Sequence, residues 1–581
     1  MTLIPAVLLS ASCESPVQAP SQAPPPLGTS PPTSLVKVTS KPRHVVVIGS
    51  GWAAVSFLRN LKVDEDTHVT CVSPRGVFVY TPLLPAAAVG SVEARSIVEP
   101  VRALLPARAD FIEAAVVDIE PAQKSIRCVS ALDPDRPFSL SYDVLVVAPG
   151  SVANDFGTPG VSSHARVLRS YDDVVGLRRA VHDAWERAAL PTTSDDEKLQ
   201  LLNFVLCGGG PTGSELAAEL RDLFTLDLGP RHPRLAPLAK VTVIDSNSHV
   251  LSMFDSAIAE YATNQFSKKG IDLVLRSRVV AVEKDGVVVL DKATNEKRRI
   301  PSSTIIWATG IGLHPLAKKL MRALPRDSQT NSRALVVDDR LRVKGSQGTI
   351  YALGDCATIE ADVTVAHATQ LFNEFDLDKN GSLDVAELTL LLEKASKRHP
   401  SLREHMRLFA NANAKLEQGG TLAHPEAAGW FSTRSFTPPV TAKSELRDAF
   451  ARVARGGALS LDEFQKLLTN MNRHMRSVPA TAQVAKQQGE YLAAAFNKGE
   501  FGLKSGDHLI APPFEWKDKG SLAFIGSHEA VAKIPGFGIL QGFTAGGSRP
   551  PSLPSARDRQ FFTHPFLSPP SCPRRPHVAR V

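Results

Sequence analysis

Six cysteines in 581 residues, Cys13, Cys71, Cys128, Cys207, Cys356 and Cys572, include no C-x-x-C and no other close pair. That spacing argues against a disulfide framework and against a zinc site. Apolar runs of about 18 residues or more are missing too, so no transmembrane helix is expected. Lysine and arginine outnumber acids 66 to 59, for a net charge of +7. No dense basic run with interleaved aromatics occurs, which argues against nucleic-acid binding. The mild basicity suits weak attraction to an anionic membrane surface. A chain this long exceeds one hydrophobic core, and roughly two to four domains are expected.

Residues 1–42 hold one acidic residue, Glu14, and proline runs such as Pro24-Pro25-Pro26. Such a stretch sustains neither a helix nor a central strand. Its composition fits an organelle transit peptide, although it lacks arginine. A disordered tail fits it equally. Leu3 to Leu9 could form a short secretory core, but no basic residue precedes it.

The first strong strand, His44-Val45-Val46-Val47-Ile48, runs into Gly49-Ser50-Gly51-Trp52-Ala53-Ala54, a G-x-G-x-x-A sequence. In that pattern the first glycine permits a tight turn and the second lets backbone approach a pyrophosphate. The third small residue lets helix and strand pack closely. The helix N-terminus then offers free N–H groups to phosphate. The next strand ends in Ser73, followed by Pro74-Arg75, where a ribose-binding acid is usual. A plain turn is the competing reading of Ser73-Pro74. A second fingerprint follows Phe204-Val205-Leu206-Cys207, with Gly208, Gly210 and Gly213 in G-x-G-x-x-G. Its following strand ends in Asp245. An acid there accepts both ribose hydroxyls and repels a 2′-phosphate, favouring NADH over NADPH. Residues 225–239 read as a loop insertion between them.

Three more apolar strands stop where backbone must pass close to something: at Ala148-Pro149-Gly150, at Ala308-Thr309-Gly310 and at Gly354-Asp355. Asp355 is placed to bind a polyol hydroxyl such as a flavin ribityl chain. Farther on, Asp376, Asp378, Asn380, Ser382, Asp384 and Glu387 occupy positions 1, 3, 5, 7, 9 and 12 of an EF-hand loop, with Gly381 at position 6. Leu371, Phe372 and Phe375, then Leu388, Leu391 and Leu392, have the spacing of two flanking helices. A partner loop from Arg452 to Glu463 keeps Gly457, Leu459 and Glu463 but has Arg452, Ala454 and Gly456 where carboxylates are needed. It is expected to pack without binding calcium well.

The whole arrangement resembles the flavoproteins in which an FAD domain is interrupted by an inserted NAD domain. Within them it looks most like the type II (alternative) NADH:quinone dehydrogenases, EF-hand-bearing subgroup. The matching stretches are 45–57, Ser73-Pro74-Arg75, Tyr80-Thr81-Pro82-Leu83-Leu84-Pro85, 90–100, 208–219, 351–357, Ala480-Thr481-Ala482-Gln483-Val484-Ala485-Lys486-Gln487 and its continuation to Leu492, and 520–526. They span roughly residues 43–358 and 479–535. The resemblance implies that Gly49, Gly51, Ser73, Arg75 and Asp355 hold FAD. It implies that Gly208, Gly210, Gly213 and Asp245 hold NADH, with Glu215 near the nicotinamide. Gln483 and Gln487, with Lys486 beside them, would border the quinone and isoalloxazine site. By spacing alone the two glutamines share one helix face, and a solvated polar face is the competing reading.

The expected fold is α/β: two Rossmann-like dinucleotide-binding domains, an FAD domain with an inserted NAD domain, plus an all-α EF-hand insertion. The expected division is a disordered or targeting tail over 1–42, FAD domain 43–165, NAD domain 166–333, FAD domain again 334–358, EF-hand insertion 359–478, a quinone-site return to the FAD domain 479–535, and a proline-rich tail 536–581. The implied reaction passes two electrons from NADH to a membrane quinone without proton pumping. The implied place is the mitochondrial inner membrane, peripherally, or another organelle such as a plastid. Calcium would act through the helix that follows its module. A homodimer is left open. The prolines after about Gly538 forbid the amphipathic helix with which such enzymes typically end, which leaves the membrane surface without its usual anchor. Disulfide reductases and sulfide:quinone oxidoreductases need cysteines that are missing here. The competing functions are an apoptosis-inducing-factor-like NADH oxidase and a calcium-responsive binding protein with an inactive flavin domain.

Overall fold

Two parallel sheets, each built around one fingerprint strand, organise the chain. The first has the order Ile350–Ala352, Val144–Val147, Arg43–Ile48, Thr67–Ser73, Ala109–Glu113. The second has the order Asp272–Val274, Lys240–Ile244, Asn203–Cys207, Thr304–Trp307. Every pairing within them is parallel. The central strands are apolar at successive positions, and Val45, Val46 and Val47 are wholly buried, as parallel strands covered on both faces must be. In both sheets the chain leaves the fingerprint strand, forms a helix and returns on one side. A later strand then lies on the other side. That reversal opens a crevice at the carboxyl ends of the strands, the usual ligand position of an open α/β sheet. The computed structural model describes residues 43–359, 368–398, 457–472, 478–499, 512–527, 529–534 and 538–542. The expectations for 1–42, for Arg452, Ala454 and Gly456, and for the tail from 543 lie outside the described residues.

The expected domain boundaries shift in three places. The helix Pro315–Ala323 buries Leu316, Ala317 and Leu320 in the core of the first sheet, so the return to that domain begins before residue 334. Residues 479–535 do not act as one segment. The helix Ala482–Phe496 packs on the first fingerprint helix, Trp52–Asn60, whereas Ala523, Ile525 and Val531 join the core of the second domain. The proline-rich tail also begins later than residue 536. Gly538–Gln541 is the third strand of a sheet with Ser521–Gly526 and Glu529–Ile534.

The stretch 225–239 is not a loop. The second fingerprint helix, Pro211–Leu223, runs on through a π-helical turn, Phe224–Leu228, and short helices at Gly229–Arg231 and Ala236–Leu238. Pro230 and Pro237 stand in first turns, where no N–H is missed, and Pro233 lies in the turn between the two short helices. Phe224, Leu228 and Leu235 are buried beside Trp185 and Phe204, and that apolar spacing outweighs the turn-like composition.

Candidate active site

The two crevices are built alike. Gly49 and Gly208 have φ of +108° and +110°. A Cβ on Gly49 would run into the Ala148 carbonyl oxygen, and one on Gly208 would run into that of Ala308. The strand ends read as close-approach points therefore lie over the fingerprint turns. Gly150 (φ +74°) and Gly310 (φ +155°) continue those ends. By contrast, nothing lies within 4 Å of a Cβ built on Gly51 or Gly210. Both N-cap their helices without a side-chain hydrogen bond, leaving first-turn N–H groups facing open space. Gly213 and Ala54 are buried, and a Cβ on Gly213 would strike the Gly208 carbonyl. A pyrophosphate fits both cradles.

In the first crevice Ser73 is buried and shares a 2.8 Å hydrogen bond with the Ser50 hydroxyl. Arg75 is exposed beside it. Asp355 follows Gly354, which has φ +71°, and its Oδ2 accepts the Ser151 hydroxyl proton at 2.7 Å. Arg169, which sequence reasoning missed, donates to Ser151 O at 2.9 Å and to Ser151 Oγ at 2.8 Å. Burial lowers its basicity, the Asp355 charge opposes that, and Arg75 adds to it. His314 is half-buried, and burial and Arg75 both hold its pKa below the usual value. Arg75 thus bears on both Arg169 and His314, and Asp355 on Arg169. Nothing in the sequence marks Arg169 beyond its place before the N-cap Ser170.

In the second crevice Asp245 directly follows the strand Lys240–Ile244. Its Oδ2 accepts from Gly209 N at 2.7 Å and its Oδ1 from Asn247 N at 2.7 Å. The acid that would bind a ribose also orders the fingerprint turn. Glu215 stands on the second fingerprint helix, with Oε1 accepting from Phe524 N at 3.3 Å. Burial pushes its pKa up to about 8, and the Glu219 charge pushes the same way against the Phe524 contact. Glu219 in turn accepts from the Ser91 hydroxyl at 2.7 Å, which ties the 90–100 stretch to this helix.

Gln483 and Gln487 are not a solvated face. Gln483 accepts from Lys519 N at 3.0 Å and donates to Gly520 O at 3.3 Å. Gln487 accepts from Lys517 N and donates to Lys517 O, each at 3.0 Å. The two amides clamp the extended segment that leads into the C-terminal sheet, while Lys486 pairs with Glu490 at 3.3 Å. The other face of this helix lies on the first fingerprint helix. A Cβ on Gly489 would run into Ala53 O, and Asn497 Nδ2 donates to Asn60 O at 2.9 Å. The C-terminal sheet is held to the second domain by Lys269, whose Nζ donates to Ile525 O, Gly526 O and Glu529 at 2.7–3.0 Å.

In the loop from residue 376 to 387, Asp376, Asp378 and Glu387 bring carboxylate oxygens within 4.8 Å of one another. Asn380 N donates to Asp376, Ser382 N to Asn380, and Glu387 N to Asp384. Gly381 takes φ +78°. Ser382–Leu383 pairs antiparallel with Leu459–Ser460 of the second loop. Leu371, Phe372, Phe375, Leu388 and Leu391 are buried, and Phe372 meets Phe464 at 6.1 Å.

The four cysteines among the described residues, Cys71, Cys128, Cys207 and Cys356, are all buried. Burial pushes the Cys71 and Cys207 thiols up to about 12 and Cys128 to about 11. Cys356 donates to Leu353 O at 3.2 Å. Cys71, Cys128 and Cys207 are therefore not poised as thiolates. Iodoacetamide at pH 7.5 is expected to leave these four peptides unlabelled until denaturant is added, as read by mass spectrometry. Rapid native labelling of Cys356 would revive a thiol mechanism.

Comparison with known proteins agrees with this geometry. Residues 43–370 match the model of the pyridine nucleotide-disulphide oxidoreductase family. The chain is similar to the mitochondrial external alternative NAD(P)H-ubiquinone oxidoreductase B2 of Arabidopsis thaliana, at 36% identity over 87% of this chain and 84% of that one. It is also similar to the mitochondrial external NADH-ubiquinone oxidoreductase 2 of Saccharomyces cerevisiae, at 37% identity over 60% of this chain and 65% of that one. Among solved structures it is similar to NDH2 from Plasmodium falciparum in complex with NADH, with a TM-score of 0.67 and 25% identity, covering 91% of this chain and 95% of that one. With two matched dinucleotide crevices and relatives of this kind over most of its length, the chain belongs to the pyridine nucleotide-disulphide oxidoreductases, and within them to the type II (alternative) NADH dehydrogenases.

Proposed function

We propose that this chain is an FAD-dependent NADH:quinone oxidoreductase that transfers two electrons without pumping protons. The observation that carries the reading is the pair of dinucleotide cradles in one molecule, each with an open second glycine. FAD, when bound, supplies the acceptor of hydride and the donor of electrons to quinone. The chain supplies position and electrostatics. Gly49, Gly51 and the first fingerprint helix take the FAD pyrophosphate, with Arg75 beside it and Asp355 toward the polyol. Gly208, Gly210 and Asp245 take NADH, and Asp245 disfavours a 2′-phosphate. Glu215 presents a largely neutral carboxyl at pH 7 where the nicotinamide would arrive. Gln483 and Gln487 shape the quinone side by holding the segment 517–520.

Calcium regulation is part of the same proposal. The module directly precedes the glutamine helix in sequence, and calcium shifts activity only if its affinity differs between two states. The expected stoichiometry is one calcium per chain, because the second loop lacks carboxylates at its early positions. Glu387→Ala is expected to weaken calcium binding at least about tenfold by removing the two-oxygen ligand, as measured by calorimetry on the full chain. Two ions per chain, or unchanged affinity in the variant, would count against this assignment. No described helix is long and apolar enough to cross a membrane. We place the protein peripherally at the mitochondrial inner membrane, as the named relatives are mitochondrial.

The deciding assay is NADH oxidation by FAD-loaded protein with a short-chain ubiquinone, first with calcium and then with chelator. Quinone-dependent turnover, faster with NADH than with NADPH, is the expected result. NADH consumption matched by oxygen uptake alone would turn the reading toward an NADH oxidase.

A further inference from the structure

Gln488 follows Gln487 in sequence but, about 100° round the helix Ala482–Phe496, meets a different segment. It is 0% exposed. Its Oε1 accepts the Gly354 N–H at 2.7 Å. That contact sets the orientation of the amide, since the flipped amide would oppose one N–H to another. Its Nε2 is buried and has no hydrogen-bond partner among the described residues. A buried amide donor left without an acceptor is costly and calls for one. The surroundings say where that acceptor comes from. Gly354 opens the turn Gly354–Cys356 that carries Asp355. A Cβ on Gly354 would lie 3.4 Å from Ala53 Cβ and 3.5 Å from Ala485 Cβ. Ala53 belongs to the first turn of the first fingerprint helix. Gln488 therefore sits where the glutamine helix, the FAD-cradle helix and the Asp355 turn converge.

We propose that Gln488 is a flavin-positioning residue: Oε1 holds the Asp355 turn while Nε2 donates a hydrogen bond to an oxygen of the bound flavin nucleotide. This rests on the FAD reading given above. It makes one helix serve two sides, with Gln483 and Gln487 toward the acceptor segment and Gln488 toward the flavin.

The test uses flavin-stripped full-length protein, titrated with FAD by fluorescence quenching, with unfolding temperatures of the apo and FAD-bound forms in parallel. Gln488→Met removes the donor and is expected to weaken FAD about tenfold and to shrink the FAD-induced rise in unfolding temperature. Gln488→Glu keeps the shape and the acceptor toward Gly354, but donates only when protonated. Its FAD affinity is expected to fall steadily from pH 6 to pH 9 while the wild type stays flat. The holo-minus-apo difference separates this from a merely structural role, which would lower both forms equally. If Gln488→Met does not fold, the pH series of Gln488→Glu decides. Affinity within twofold of wild type at every pH would overturn the proposal and assign the amide to a buried water. A wild-type chain that takes up no FAD would remove the flavin reading itself, and this inference with it.

Discussion

Gly49→Ala is expected to give a chain that either purifies without flavin or fails to accumulate as folded protein. Two costs fall on one atom. Gly49 has φ +108°, a region that costs an L side chain roughly 1–3 kcal/mol. The new Cβ would also meet the Ala148 carbonyl oxygen, which directly follows the neighbouring strand Val144–Val147 and is backbone that cannot swing aside. Overpacking of that kind adds roughly 1–3 kcal/mol. Together, about 2–6 kcal/mol is comparable with the stability of an ordinary domain. Moving Ala148 away would displace Gly150 and Ser151, and with them the hydrogen bond from Ser151 to Asp355. The control is Gly51→Ala. Its Cβ has nothing within 4 Å, so the chain should fold normally while the methyl group occupies space meant for the pyrophosphate. Apo stability near wild type with FAD binding weakened about tenfold or more is expected, since close backbone approach is what the second glycine provides. Visible flavin absorbance per chain and calorimetric unfolding read both variants. A yellow Gly49→Ala protein as stable as wild type would mean that this turn is not built as described.

Glu215 gives the second large effect. Burial pushes its pKa from an ordinary 4.5 up to about 8. Between those values the folded chain holds a proton that the unfolded chain has released. Stability from this group is therefore fully present below about pH 4.5 and is lost as pH rises through about 8. Glu215→Gln, which cannot ionise, should not show the loss. The difference in apo unfolding free energy between the two proteins is expected to swing by a few kcal/mol, on the order that linkage sets for such a shift. Parallel stability curves from pH 5 to pH 9 would refute the raised pKa of this carboxyl. A kinetic consequence follows under the proposed function. Flavin reduction by NADH should carry an inflection near pH 8 that the glutamine variant lacks, because the group beside the nicotinamide gains charge there.

The matched cradles were legible because their geometry is local. A turn that only glycine can make, followed by a helix N-terminus, leaves its mark within six residues, and it does so twice. The oxygen-rich loop 376–387 is legible for the same reason, as its Asp, Asn, Ser and Glu residues stand at fixed offsets within a dozen positions. Asp245 could be named from its place after a strand. The misreadings share a cause as well. Residues 225–239 carry turn-forming prolines, yet Phe224, Leu228 and Leu235 join a distant apolar core, and Pro230 and Pro237 are tolerated in helix first turns. Gln483 and Gln487 share a face by periodicity, but periodicity does not say what a face meets. Only packing brought the segment 517–520 against it. Arg169 and Gln488 had weaker signals still. Gln488 continues an apolar stripe with Ala485 and Leu492, a polar residue at a buried position, and only the fold puts the Gly354 N–H beneath it. What the sequence determined by itself is the chemistry held within one turn of chain: two dinucleotide cradles and an oxygen-rich loop. What the tertiary structure alone decided is which distant groups share a crevice, because burial and hydrogen bonding between segments more than a hundred residues apart depend on packing that no local pattern encodes.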